Sequence, residues 1–250
     1  MNEQELCKKR LQDLSRQAEI KDIVTFSDFL NLNEQNIYHS NQKEYYTSSK
    51  LYGGYDSAER QMVAFIPDAL CYDWDYPIVC LKLSPMYPKY AEELSHRDVL
   101  GALMNLGIER SVLGDIVPKE HNFYVFCDDG IASFIKENLS KIRHTLINVE
   151  VMDSLVNLNV EPEFEEKTEM VASNRIDAII ARAYKLSRSE SAEYLMNERV
   201  FVNGRTITNC NHSITSGSIV SVRGKGRSIF ETNNGLSKKG RLIVKFLFYK

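Results

Sequence analysis

Apolar and polar residues along this 250-residue chain keep a steady period only over short stretches, and each change of period predicts a new element. Over residues 2–20, Leu6, Leu11, Leu14 and Ala18 fall on one stripe at helical spacing, which predicts an amphipathic helix. Residues 25–30 open a second helical segment, a polar stretch spans about 36–50, and 61–67 read as a strand. From residue 77 the pattern sharpens. Residues 78–83 form a strand, and Ser95 with Asp98 caps a helix that runs to Leu106 and stops at Gly107. Residues 112–117 and 122–127 are strands. Asp128 or Asp129 starts a helix to Leu139 with Ile131, Phe134, Ile135 and Leu139 inward, and 145–151 is a further strand. This order is the ferredoxin-like split βαβ layout, βαββαβ.

Residues 175–184 place Ile176, Ile179, Ile180 and Ala183 at i, i+3, i+4 and i+7, one face of a helix; Arg175 and Arg182, seven apart, share another face. Ser187 and Glu190 form a capping box that starts a second helix, running through Arg199 with Ala192, Leu195 and Met196 inward. Arg188 then stands at the first position of that helix, where a cation is unfavourable for the dipole but well placed beside a bound phosphate. After it the period changes to two. Residues 200–202 are a strand, Asn203-Gly204 is a turn, Arg205 begins the return, and 218–222 lead into the basic loop Arg223-Gly-Lys225-Gly-Arg227. The tail adds Lys238, Lys239 and Arg241 before a final strand. The overall expectation is an α+β protein. It has an N-terminal helical region over 1–60, a ferredoxin-like domain over 61–160, an acidic linker over 161–170 and a small α/β domain with a basic extension over 171–250.

Charge changes this picture. The whole chain is nearly neutral, 31 Lys+Arg against 34 Asp+Glu, and a net of −3 argues against a nucleic-acid binder. Residues 171–250 alone, however, hold 14 Lys+Arg and 5 Asp+Glu, a net of +9, while residues 1–170 carry −12. The acidic run 161–169, with its proline, reads as an exposed linker between the two. A basic segment is often only a solvated face. Here arginines predominate and several stand in glycine-containing loops, which favours a polyanion-binding surface.

Other chemistry is sparse. The N-terminus lacks an apolar core and is no signal peptide, and no run approaches the ~18 apolar residues of a membrane span. Five cysteines without a C-x-x-C pair, four of them in or beside apolar runs, read as reduced thiols; the five histidines lack ligand spacing. No metal or cofactor is expected. The loop at 223–227 has neither a third glycine nor a following helix, so it is not a nucleotide fingerprint. Asp73 and Asp75 flank Trp74 on a solvated loop. Gly101 interrupts a good helix at a cost of about 1 kcal/mol relative to alanine, which points to close packing of that helix on a sheet. Arg110 and Asp115 are exposed candidates for contact, or else a turn stabilised by local charge. RNA-recognition motifs stack bases on strand aromatics. Phe123-Tyr-Val-Phe126 offers alternate aromatics, yet the K/R-G-F-G-F signature is absent and a buried aromatic core is expected.

The motifs S-N-R-I-D (173–177), L-S-R-S (186–189), A-E-Y-L (192–195), V-F-V-N-G (200–204) and S-G-S-I-V-S-V-R-G-K-G-R (216–227) resemble, in order and spacing, the S4 RNA-binding domain. Ile176 stands where that family usually has leucine, a volume-conserving change. The resemblance implies an RNA-contacting surface on Arg175, Arg182, Lys185, Ser187 and Arg188, with Asn203, Arg205 and Lys225 adjacent; Arg223, Arg227, Lys238, Lys239 and Arg241 extend the basic set. Y-G-G-Y-D-S-A-E-R (52–60) and H-R-D-V-L-G-A-L-M-N-L-G-I-E-R-S-V-L-G-D-I-V (96–117) are similar to the YlmH family of bacterial RNA-binding proteins, as is the basic ending. That likeness spans nearly the whole chain. It implies an RNA-recognition-like middle domain, binding to the large ribosomal subunit with its ribosomal RNA and tRNA, a role in ribosome rescue, and a link to cell division.

S4 domains also accompany RNA enzymes. Arg175-Ile-Asp177 matches an R-x-D pattern only superficially, because it lies in the S4 helix itself. No methyltransferase glycine-rich turn, synthetase signature, G-x-S-x-G or H-E-x-x-H is present. The expectation is a non-catalytic, cytoplasmic RNA-binding protein with no membrane or small-molecule partner. The alternatives are an RNA-modifying enzyme or its accessory subunit with an unrecognised active site, and a cell-division scaffold that needs no RNA.

Overall fold

The structure, a computed structural model, describes residues 3–152, 164–236 and 240–249. The chain divides after residue 161 into two compact units. Helices and antiparallel sheets alternate in both, and the fold is α+β.

The first unit opens with α1 (Glu3–Lys21), β1 (Thr25–Phe26), α2 (Leu32–Ser40), β2 (Ser48–Tyr52) and β3 (Met62–Ile66). The strands form a sheet in the order β1-β3-β2. Leu11 and Ala18 of α1 pack with Leu30, Tyr38, Val63 and Phe65, each burial contributing up to roughly 1.5–3 kcal/mol for the larger apolar side chains. Leu6 is exposed instead, and Cys7 takes the inward position beside it. Ser15 is also fully buried, its hydroxyl accepting from the Tyr46 N–H at 2.7 Å. Two expectations shift here. The segment 25–30 begins as a strand, and the helix starts only at Leu32, because the Asn31 side chain accepts from the Asn33 and Glu34 amides. The strand 62–66 joins this sheet rather than the ferredoxin-like one, because β1 and β2 satisfy its two edges.

The remainder of this unit is β4 (Ile78–Pro85), α3 (His96–Asn105), β5 (Leu113–Lys119), β6 (Asn122–Asp128), α4 (Asp129–Asn138), β7 (Lys141–Ile142) and β8 (Thr145–Val151). The sheet order β5-β6-β4-β8-β7 is the ferredoxin-like arrangement with one short extra strand. Ser95 and Asp98 cap α3 reciprocally, and the Asp128 carboxylate caps α4. Val99 and Leu103 of α3 and Ala132 and Ile135 of α4 cover one sheet face, against Leu81, Leu83, Phe123 and Val125.

The opposite face is closed by the chain between β2 and β3. Tyr55 stacks on Phe126 with ring centroids 4.9 Å apart, and Gly54, at φ +99°, passes so close that a Cβ would lie 2.4 Å from the Phe126 ring. The Y-G-G-Y motif is thereby explained: only glycine meets both the backbone angle and the approach. Phe126 is fully buried and Tyr124 is 8% exposed, so the aromatics of β6 form core.

Arg110 and Asp115 are engaged in the same packing. Asp115 accepts from Tyr55 Oη at 2.8 Å, Glu59 N at 2.7 Å and Arg60 N at 3.1 Å. The Arg110 guanidinium donates to the Leu113 and Gly114 carbonyls, and burial with Arg60 nearby lowers its pKa to about 10. Of the two readings of this pair, the local structural one applies. Gly101 is a correction of another kind. It is exposed, and a Cβ there would meet nothing within 4 Å, so packing on the sheet does not explain it.

The second unit holds β9 (Phe164–Val171), α5 (Ile176–Ala183), α6 (Arg188–Met196), β10 (Val200–Val202), β11 (Arg205–Thr206), β12 (Ser218–Val222), β13 (Gly226–Leu236) and β14 (Leu242–Tyr249). Its six strands run β11-β10-β12-β13-β14-β9, all antiparallel. Ile176, Ile179, Ile180 and Leu195 bring the helices onto Val200, Val220, Phe230, Val244 and Phe246. The acidic run is the second correction to the domain plan. Residues 164–171 are not a linker but an edge strand paired with β14 along its whole length; the earlier part, 161–163, lies outside the described residues. The alternating charges suit an edge. Thr168 faces Lys245, Glu166 pairs with Lys245 at 2.7 Å, and a charged strand resists edge-to-edge association.

Candidate nucleic-acid interface

The basic residues of the second unit fall into two groups and some outliers. The first group lines a cleft of about 460 Å³ between α5, the turn to α6, and β9. Arg182, Lys185, Arg188 and Arg241 converge on it, together with Lys167. Local sequence explains each placement. Arg182 lies on the outer face of α5, whose inner face carries the isoleucines. Lys185 sits at φ +54° in the interhelical turn, directing the chain into the next helix. Ser187 then caps α6 by accepting from the Glu190 amide at 3.2 Å, and the Glu190 carboxylate accepts from Ser187 N at 2.7 Å. Those bonds hold the Glu190 carboxyl below its ordinary pKa, so it remains ionised as a cap. Arg188 follows at the first helical position and is exposed. Ser187 is thus engaged as the cap of α6.

The second group is the β12–β13 hairpin. Val222 pairs with Gly226, leaving Arg223, Gly224 and Lys225 as the turn, with Gly224 at φ +82°. Arg223 lies over the Phe201 ring at 5.8 Å and Arg227 over the Tyr249 ring at 5.6 Å. Arg199 lies over Tyr194 at 4.6 Å and donates to the Arg223 carbonyl at 3.3 Å. Tyr184 Oη sits 3.1 Å from the Val220 carbonyl and 3.2 Å from both the Gly226 carbonyl and Ser228 Oγ, so the end of α5 grips the base of this hairpin. Burial pushes the Tyr184 phenol upward, which keeps it a neutral donor. Lys225 lies close enough to help lower the Glu190 carboxyl, which brings the hairpin tip toward the start of α6.

Other predicted residues have different surroundings. Arg175 is not on the face of Arg182: it is the N-cap of α5, outside the helix, and forms a two-pronged pair with Asp177 at 2.8 and 3.1 Å. The reason is long-range: Arg175 is extended (φ −70°, ψ 140°) and bridges Ser213, so the helix starts one residue later than periodicity implies. The second helix likewise ends early, at Met196. Asn203 occupies the β10–β11 turn at φ +48°, and its Oδ1 accepts from Ile219 N at 2.8 Å. Arg205 is exposed on β11, the sheet edge farthest from β9. Lys238 and Lys239 lie outside the described residues. Sequence reasoning missed Lys167 and Arg199. Lys167 was concealed inside the acidic run, where it pairs with Glu169 at 2.9 Å and donates to the Arg182 carbonyl at 3.2 Å. Arg199 had only its neighbour Tyr194, five residues back, as a signal.

Chemically, the cleft offers cationic donors and no nucleophile–base pair. Among the described residues no group of three or more His, Cys, Asp or Glu could hold a metal ion, and no helix is long and apolar enough to cross a membrane. Guanidinium and ammonium groups around a helix start suit phosphate oxygens.

Three comparisons with known proteins agree with the family likeness. Residues 73–155, the ferredoxin-like part, match the family described as "Putative RNA-binding domain in YlmH". The chain is 28% identical over 228 residues to the "Ribosome-associated protein quality control protein P2" of Bacillus subtilis (strain 168), spanning 89% of this chain and 86% of the relative. Among solved structures it is similar to the "Cell division protein ylmH from Streptococcus pneumoniae", with a TM-score of 0.52 at 20% identity, over 63% of this chain and 95% of that one. The resemblance to the YlmH family read from the motifs is borne out, and the structural likeness supports the α+β fold.

Proposed function

We propose that this YlmH-like chain is a non-catalytic RNA-binding protein that works on the ribosome, with its basic second unit acting as an S4-type module. The observation that carries the reading is the convergence of Lys167, Arg182, Lys185, Arg188 and Arg241 on one cleft beside the start of α6. The proposed ligand is structured RNA of the large ribosomal subunit, with tRNA as a further partner. The name of the Bacillus subtilis relative supports a role in ribosome-associated quality control. The name of the Streptococcus pneumoniae neighbour is the sole support for a link to cell division. The proposed compartment is the cytoplasm.

In this mechanism, Arg182 and Arg188 pair with phosphate oxygens, Lys185 and Lys225 add point charges, and the Ser187–Glu190 cap sets their spacing. Binding releases condensed counterions, so affinity falls steeply with salt. The net charge of −12 over residues 1–170 repels polyanions that do not fit, which makes binding localised. The test is co-sedimentation of the full chain with purified ribosomal subunits at increasing salt. The wild-type protein should travel with the large subunit, and Arg182→Glu with Arg188→Glu should stay in the supernatant. Undiminished co-sedimentation of the folded double variant would refute the cleft.

A further inference from the structure

We infer that the ferredoxin-like domain has an RNA-backbone site of its own, on its helical face, in the groove between α3 and the α4–β7–β8 connection. The family that residues 73–155 match is described as RNA-binding; the inference adds where on this domain the site lies and what it holds, and goes beyond the proposed function, which rests on the second unit. Three observations carry it.

The face that comparable sheets use for stacking bases is closed at its centre. Phe126 is fully buried under Tyr55, Tyr124 is nearly so, and Lys82 stands opposite Glu150 in the strand pairing, so the aromatics are not available for stacking.

The helical face, in contrast, concentrates cations in a domain that is otherwise acidic. A groove of about 460 Å³ is lined by Arg97, Gly101 and Asn105 from α3 and by Asn138, Lys141 and Arg143 across from it. Arg97, Lys141 and Arg143 are all exposed. Arg143 stands at the tip of the β7–β8 hairpin at φ +50°, an unfavourable angle for arginine, and its Nε lies 3.2 Å from Asp98 Oδ1. Among the described residues Asp98 is the only acidic one of the lining, and it is already engaged in capping through Ser95 N and Ser95 Oγ at 2.9 and 2.6 Å. The groove therefore keeps a positive excess. Ala102, Leu106 and Leu139 form its floor and the cations stand at its rim, a shallow groove that suits a polymer backbone rather than an enclosed small molecule.

Gly101 is the third observation. A glycine inside a helix is unfavourable and is usually explained by a neighbour that needs the space. Here the neighbouring space is the groove itself: Gly101 lines it, and a Cβ at 101 would meet no neighbouring atom within 4 Å. The glycine leaves the helix backbone open to close approach by a ligand.

The test uses the full chain with Gly101→Glu and Gly101→Lys, two substitutions that both favour a helix and differ only in charge. Binding to purified large-subunit ribosomal RNA is measured on filters at several salt concentrations, with Arg182→Gln/Arg188→Gln as a parallel arm. The expected result is equal thermal midpoints for the two variants, about tenfold weaker RNA binding by Gly101→Glu than by Gly101→Lys, and convergence of the two at high salt. Equal affinities would overturn the groove. So would a Gly101→Glu protein that binds naked RNA normally but leaves the ribosome, because the groove would then hold a protein. Failure of the parallel arm alone would count against the cleft in the second unit and leave the groove standing.

Discussion

Lys245 Nζ lies 2.7 Å from Glu166 Oε1, across the pairing of β14 with β9. The exposed ion pair itself contributes little, on the order of 0–1 kcal/mol. Its position matters more, because it shows that part of the acidic run belongs to the basic unit. Eight residue pairs run from Leu242↔Val171 to Tyr249↔Phe164, and β9 also supplies Lys167 to the cleft.

A fragment cut at residue 171 therefore loses an edge strand. Cross-strand pairs contribute roughly 0.2–1 kcal/mol each, and about 1 kcal/mol moves the melting temperature of a 60–100-residue domain by about 4–8 °C. The fragment 162–250 should melt cooperatively, and 171–250 should melt at least about 10 °C lower or not cooperatively at all. Calorimetry on the two fragments checks this; matching midpoints would show that β9 is dispensable.

Asp115 ties the loop 53–60 onto the ferredoxin-like sheet through one hydroxyl and two backbone amides. Asp115→Ala leaves those amides without their acceptor, at a cost of about 2–4 kcal/mol. Tyr55→Phe removes one bond and should cost about 0.5–1.5 kcal/mol. Urea titration should rank the two in that order. RNA affinity in low salt should stay unchanged in both while the protein is folded, since neither residue lines the cleft or the groove.

The buried thiols set an alkaline limit. Burial raises Cys80 and Cys127 to about 12, against 9.0 for the free group. The fold thus holds protons that the unfolded chain releases, so this contribution is present below about pH 9 and is lost as pH rises toward 12. Melting temperature should be level from about pH 7 to 8.5 and then decline. In native protein at neutral pH, a thiol reagent should modify exposed Cys71 first and reach Cys80 and Cys127 only on unfolding. Modification of all three at one rate would contradict the burial.

Much of this architecture was legible where a local rule had no competitor. The Ser187–Glu190 and Ser95–Asp98 caps, the isoleucine stripe of α5 and the βαββαβ order follow directly from spacing and side-chain chemistry. The misreadings share a cause, which is that pairing across long sequence distances is invisible to local pattern. Residues 164–171 look like a linker until β14, more than 70 residues later, satisfies their backbone. Strand 62–66 looks like the start of the next domain until β1 and β2 claim its edges. The same limit applies to the site. Arg182, Lys185 and Arg188 were accessible because one helical hairpin carries them, whereas Lys167 and Arg241 come to the cleft only through the sheet. Arg175 failed to join Arg182 because its bridge to Ser213 holds its backbone extended, outside the helix.

The most direct test of the central claim is ultraviolet crosslinking of the full chain to large ribosomal subunits, followed by mass spectrometry of the nucleotide-bearing peptides. Crosslinks should include 182–188 and 223–227, with any at 97–143 coming from the groove of the first unit, and they should fade between low and moderate salt. Crosslinks confined to residues 3–152, or none at any salt concentration on subunits that carry the protein, would contradict the assignment of RNA binding to the basic cleft.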